Sequence, residues 1–131
     1  MITVVIVADS GAALQRLTEM LSVLPDVHIA RHCHGRGAVE AQIAARKPDL
    51  VVMDEMHWPR LALRRIAEVQ APVVLCTSRP EARWLGDALR AGARAVVPHS
   101  AGAATLRQVM GEALAAEPVA VAVLRPAALA A

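Results

Sequence analysis

The chain reads as an α/β domain, a five-stranded parallel sheet between layers of helices. Two observations predict it. Leu50 to Met53 is a short, unbroken apolar run with β-branched residues, which suits a strand covered on both faces in the middle of a parallel sheet. Four further short apolar runs each lead into a segment with helical spacing, and strand–helix alternation of this kind folds as a parallel sheet with right-handed crossovers.

The elements follow in order. Ile2 to Ala8 is a buried-strand run that stops at Asp9. Ser10-Gly11 marks a turn and an N-cap, after which Leu14, Leu17, Leu21 and Leu24 recur at helical spacing until Pro25. Val27 to Cys33 is a weaker strand interrupted by Arg31 and His32, and Gly35-Arg36-Gly37 is a loop. Val39 to Arg46 is a short helix that ends ahead of Pro48, because the residue before proline disfavours helical backbone. The central strand then ends at Asp54. Leu61 to Val69 is a compact helix, and Pro72 to Cys76 a fourth strand closed by Thr77-Ser78. Glu81 to Ala91 is a helix capped by Gly92. Arg94 to Val97 is the fifth strand, ending at Pro98-His99, and Ala101 to Ala116 the last helix. Residues 1–117 form the expected domain; 118–131 are a tail or the start of a linker to an effector domain.

Bulk composition narrows the function. The 131 residues suit one domain, and the 56% apolar and 20% charged composition is globular. A formal charge of +2 is too small to imply nucleic acid. Trp58 and Trp84 are the only aromatics, so base-stacking platforms are lacking. No apolar run reaches the roughly 20 residues of a membrane span, and no basic leader precedes the first strand. The expected compartment is the cytoplasm, with Cys33 and Cys76 as buried, reduced thiols.

With five strands the order 2-1-3-4-5, the flavodoxin-like arrangement, sets the ends of the first and third strands side by side at the switch point. Asp9 and Asp54 are then neighbours, and Thr77 and His99 look into the same crevice. Two adjacent carboxylates repel unless a cation lies between them. Hard oxygen ligands with few further protein groups suit Mg²⁺, which often shares its shell with a phosphate. A phosphoryl group on Asp54 needs donors, and Thr77 and His99 can supply them.

Four motifs carry a resemblance: Val4-Val5-Ile6-Val7-Ala8-Asp9-Ser10, Pro48-Asp49-Leu50-Val51-Val52-Met53-Asp54, Pro72-Val73-Val74-Leu75-Cys76-Thr77-Ser78, and Ala91-Gly92-Ala93. In this order and spacing, from Val4 to about Val109, the chain resembles the receiver domain of bacterial two-component response regulators, particularly that of LuxR-type transcription factors. The resemblance implies phosphorylation of Asp54 by a histidine kinase, and Mg²⁺ held by Asp54, Asp9 and the Met56 carbonyl. It also implies phosphoryl contacts from Thr77 and from His99, which stands at the family's lysine position. A homodimer or another partner would read the state, with DNA contacted only through an effector domain absent from these residues.

Departures from the pattern are several. The first acid of the usual pair is Ala8, the lysine is His99, and the aromatic switch residue of the fifth strand is Val96. The proline after Asp54 comes one residue late, at Pro59, and the usual Gly-containing segment is missing, which weakens the case for Met56 as a ligand. Losing an acid weakens Mg²⁺ binding, and imidazole, with a reference pKa of about 6.5, lacks lysine's permanent charge. The expectation is an atypical receiver with weak or absent phosphorylation. The rival is an orphan pseudo-receiver that binds a small molecule in the same crevice. A hydrolase is disfavoured, since no nucleophile with a paired base is evident.

Four features have plainer readings. His28, His32 and His34 share one strand face by simple alternation, with metal-capable spacing, but no acid or cysteine joins them and a solvated strand end is favoured. Thr77 has the less favoured alternative of bonding its own backbone. Arg79, Arg83, Arg90, Arg94 and Arg107 read as a solvated face, with a partner surface as the alternative. Trp58 and Trp84 read as packing residues, Trp58 with a possible second role as a lid over the crevice.

Overall fold

A computed structural model of the chain describes residues 1–35, 37–55, 59–79 and 81–115. Ten elements alternate: β1 (Ile2–Ala8), α1 (Gly11–Ser22), β2 (Val27–His34), α2 (Val39–Arg46), β3 (Leu50–Asp54), α3 (Pro59–Glu68), β4 (Val73–Thr77), α4 (Ala82–Ala91), β5 (Ala95–Pro98) and α5 (Ala103–Ala115). All strand pairings are parallel, in the order β2-β1-β3-β4-β5. The expected fold class and strand order are those found. Expected and observed element ends differ by a residue or two. Met56, Trp58 and the 118–131 tail lie outside the described residues.

The sheet separates two apolar layers. Val4, Ile6, Leu50, Val52, Val74, Cys76, Ala95 and Val97 face α1 and α5, where Leu17, Leu21, Leu106 and Met110 meet them. Val5, Val7, Val51, Met53, Val73, Leu75 and Val96 face α2, α3 and α4. Every residue of β3 and of β4 is buried, as strands covered on both sides require. At about 25 cal/mol per Å² of apolar area removed from water, this double burial is the main stabilising term.

Local chemistry sets the boundaries. Ser10 caps α1, its Oγ accepting the Ala13 N–H at 3.1 Å. Helix α2 ends on Lys47, whose φ of 47° is left-handed, immediately before Pro48. Helix α4 ends on Gly92 at φ 121°, a conformation that costs glycine little. Arg107 on α5 reaches Asp26 with three contacts of 2.7–3.2 Å and ties α5 to the α1–β2 turn. That guanidinium holds the Asp26 carboxyl below its ordinary range.

The register of β2 overturns one expectation. Val4 is level with Ile29 but Val5 with Arg31, so a bulge at Ala30 flips the alternation. His32 and His34 are level with Ile6 and Ala8, while His28 is level with Thr3 and faces the other way. The three histidines therefore do not share a face. Among the described residues no group of three or more His, Cys, Asp or Glu side chains is placed to hold a metal ion. No described helix is long and apolar enough to cross a membrane. Cys33 and Cys76 are buried free thiols, as expected.

Candidate functional site

At the carboxyl edge of the sheet, β1 and β3 end side by side, and the connections after them frame a crevice of about 520 Å³. Asp9, Ser10, Ala12, Ala13 and Arg16 line it from the α1 side, Asp54 and Glu55 from the end of β3 and the residue after it, and Arg79 and His99 from just beyond β4 and β5. Asp9, Asp54 and His99 are thus brought together as the strand order requires.

Asp54 is the buried acid of the group, its side chain 8% exposed. It is level with Cys76 in the sheet, and Cys76 faces α1 and α5; Asp54 therefore points to the α1 side. There Arg16 Nη2 donates to Asp54 Oδ1 at 2.7 Å. His99 Nε2 lies 2.9 Å from the same oxygen and 3.2 Å from Arg16 Nη2. Burial pushes the Asp54 carboxyl above the ordinary aspartate range, against the opposing pull of His99 and Arg16. Among the described residues, Arg16 Nη1 is buried and finds no hydrogen-bond acceptor. The carboxylate draws in the guanidinium, and the surroundings complete only part of its hydrogen bonding.

Thr77 behaves differently. One residue beyond Cys76, it faces the opposite side of the sheet, toward α4, and it is 1% exposed. It is not among the residues lining the crevice. Its hydroxyl donates to Glu55 and accepts from the Arg79 N–H and from Trp84 Nε1–H, both at 3.0 Å. A threonine hydroxyl has one donor and two lone pairs. All three are used, so any new contact must displace one of these partners. The Arg79 bond is the local backbone bond expected of a strand-end hydroxyl. Trp84 packs in the core as expected, and Arg79 stacks 5.9 Å from its ring centroid.

Glu55, which the sequence did not single out, fastens this second cluster. Its carboxylate accepts from the Thr77 and Ser78 hydroxyls, with Arg79 Nε at 3.8 Å. Burial pushes the Glu55 carboxyl up, but the Ser78 and Thr77 hydroxyls outweigh it and hold the group below the usual glutamate range.

No family model matches the chain. A protein-glutamate methylesterase/protein-glutamine glutaminase from Chromobacterium violaceum is 34% identical over 103 residues, taking in 73% of this chain. The match covers 28% of that protein, so this chain spans little more than a quarter of its length. A LuxR-family two-component response regulator from an Aurantimonas species superposes with a TM-score of 0.79 at 19% identity, covering 88% of this chain and 86% of the other. The response regulator domain of Thermotoga maritima CheB superposes with a TM-score of 0.73 at 22% identity, covering 90% and 99%. The chain has the receiver-domain fold.

Receiver domains bind Mg²⁺ through oxygen ligands, and the described residues of this receiver fold fit that ion poorly. Asp9 and Asp54 both border the crevice. Ala8 supplies no oxygen from its side chain, and Arg16 places a fixed positive charge on the Asp54 oxygen. Arg16 was the other residue that the sequence left unnoticed. The available signal was its place on α1, one turn beyond Ala12 and Ala13 and next to the buried Leu17.

Proposed function

We propose that this domain works as an atypical response-regulator receiver, a signalling and interaction module without enzymatic chemistry of its own. In this reading Asp54 stands at the phosphoacceptor position and Mg²⁺-dependent phosphorylation is weak or absent. One observation carries it: Asp54 Oδ1 already has Arg16 at 2.7 Å and His99 at 2.9 Å. An incoming phosphoryl group and its metal must displace a half-buried ion pair from a buried carboxylate, which is costly because the carboxylate would lose its partner. Signal reaches a partner, a histidine kinase or another signalling protein upstream and a second copy of the domain downstream, through the α4, β5 and α5 side. Thr77 enters that route by exchanging Glu55 for a ligand in the crevice, with His99 as the second donor. DNA is reached only where an effector domain is joined to this one; a stand-alone regulator would act through protein partners alone. The methylesterase activity in the relative's name belongs to a protein that this chain matches over 28% of its length.

Acetyl phosphate with Mg²⁺, followed by intact-mass spectrometry, tests the reading. The expected result is little or no adduct. Stoichiometric labelling that requires both Asp54 and Mg²⁺ overturns it. The second reading, a small-molecule ligand in the same crevice, draws on the unpaired Arg16 Nη1 in a space of about 520 Å³. Beryllofluoride with Mg²⁺ bears on both: a change in tryptophan emission or dimerisation shows a working phosphoryl route and counts against the small molecule, whereas silence is what weak phosphorylation and a small-molecule ligand both predict.

A further inference from the structure

The three atoms that meet at the floor of the crevice form a tight triangle. Asp54 Oδ1 lies 2.7 Å from Arg16 Nη2 and 2.9 Å from His99 Nε2, and the two nitrogens are 3.2 Å apart. The negative corner comes from β3, one positive corner from α1, and the third from the end of β5. Asp26, Asp49 and Asp87 are engaged elsewhere, with Arg107, the Thr3 N–H and Arg90, and Glu55 is held by Thr77 and Ser78.

We infer that Arg16 is the resident cation of this crevice, a positioning residue that takes the place of a divalent metal and excludes one. The inference rests on the reading of the crevice as a receiver site and names the residue that makes it atypical. Three observations support it. Arg16 has its charged end on the buried carboxylate, although the side chain is 32% exposed and could extend into water at little cost, as long basic side chains commonly do. Its Nη1 is buried without an acceptor among the described residues, and a buried unsatisfied donor is tolerated where a stronger interaction holds the group. Ala8, 4% exposed beside Asp9, supplies no side-chain oxygen where the receiver pattern has a second acid, so a divalent ion would find one ligand fewer while the guanidinium needs only the Asp54 oxygen. Arginine is permanently charged, so this balance does not depend on metal supply.

The consequence is a gain of function on removal. Arg16→Ser frees the Asp54 oxygen, and Ala8→Asp supplies the missing acid; the two together should create a divalent site that the wild-type chain lacks. The experiment is a Mn²⁺ titration of wild type, A8D, R16S and A8D/R16S, read by calorimetry and by tryptophan emission, with A8D/R16S/D54N as the control. The expected order is weakest binding in wild type and A8D, tighter binding in R16S by on the order of tenfold, and the tightest in A8D/R16S, lost again in the D54N control. Should A8D misfold, the comparison of R16S with R16S/D54N carries the test alone. Equal Mn²⁺ affinity in wild type and R16S overturns the inference. So does a gain in R16S that survives D54N, which would put the ion somewhere other than Asp54. Failure here with wild type still unlabelled by acetyl phosphate removes Arg16 as the cause and leaves the atypical-receiver reading standing. Efficient labelling of wild type removes that reading instead.

Discussion

Arg16→Met removes the guanidinium while keeping a long, apolar stem and comparable helix propensity. At 2.7 Å and an effective dielectric of about 20, the gross attraction to Asp54 is about 6 kcal/mol. Arg16 is 32% exposed, so solvent screening and side-chain ordering remove most of that. A hydrogen bond to a charged group contributes about 1.5–3 kcal/mol net, and His99 remains as a second partner. The expected loss is therefore about 2 kcal/mol, a fall in Tm of roughly 6–12 °C for a domain of this size. The assay is urea unfolding of wild type, R16M, D54N and R16M/D54N as a double-mutant cycle. In the D54N background R16M should cost less than about 0.5 kcal/mol, because the orphaned carboxylate is the source of the penalty. The pH dependence has a definite sign. Burial already holds the Asp54 carboxyl above its ordinary range in the folded state, and losing Arg16 raises it further. The folded variant thus binds the proton more tightly than its unfolded chain does, and stability falls as pH rises from the ordinary aspartate range through the raised folded value. The gap between wild type and R16M must narrow as pH is lowered through that window. A penalty of equal size with and without Asp54, or one that does not change with pH, refutes the ion-pair account and assigns the loss to packing.

Two further outcomes are expected. Glu55→Gln weakens the acceptor that holds Thr77 and Ser78, costing about 1–2 kcal/mol; it should loosen the β4–α4 connection, seen as faster amide exchange at Ser78 and Arg79 and altered Trp84 emission in a W58F background, and unchanged exchange there would show that the clamp does not fix the loop. Burial pushes the Cys76 thiol up to about 12 and also raises Cys33, so a thiol reagent at neutral pH should label neither in the native state and both after unfolding, whereas rapid native labelling would show that β2 or β4 opens readily.

The sheet was legible because parallel strands covered on both sides must be apolar at every position, and β1, β3 and β4 obey this without exception over their central residues. The meeting of Asp9, Asp54 and His99 followed from strand order alone, since each stands at the same edge. Directions were harder. Thr77 looks away from Asp54 because β4 aligns Cys76, not Thr77, with the acid, and a sequence states its own alternation but not its offset from a neighbour. The bulge at Ala30 defeated the histidine reading for the same reason, since β1 sets the alternation of β2. Arg16 stayed hidden because an arginine on an amphipathic helix reads as solvated, and its capture depends on an acid 38 residues away.

Asp54 closes β3 and Glu55 follows it directly; both border the crevice, but their carboxylates are held by different partners. One carboxylate is held by α1 and the end of β5, the other by the start of the β4–α4 connection. A single peptide unit therefore joins the charge cluster in the crevice to the cluster that fixes Thr77, Trp84 and the approach to α4. An occupant that drew Asp54 away from Arg16 would pull on the backbone on which Glu55 stands, and through it on the bonds to Thr77 and Ser78. The hydroxyl of Thr77 has no spare valence, so its rearrangement is an exchange between discrete partners, the kind of bistable element on which coupling between two sites depends. The absence of an aromatic residue at Val96, which packs with Trp84 in the α4 layer, leaves that exchange to the Glu55 carboxylate and the indole N–H.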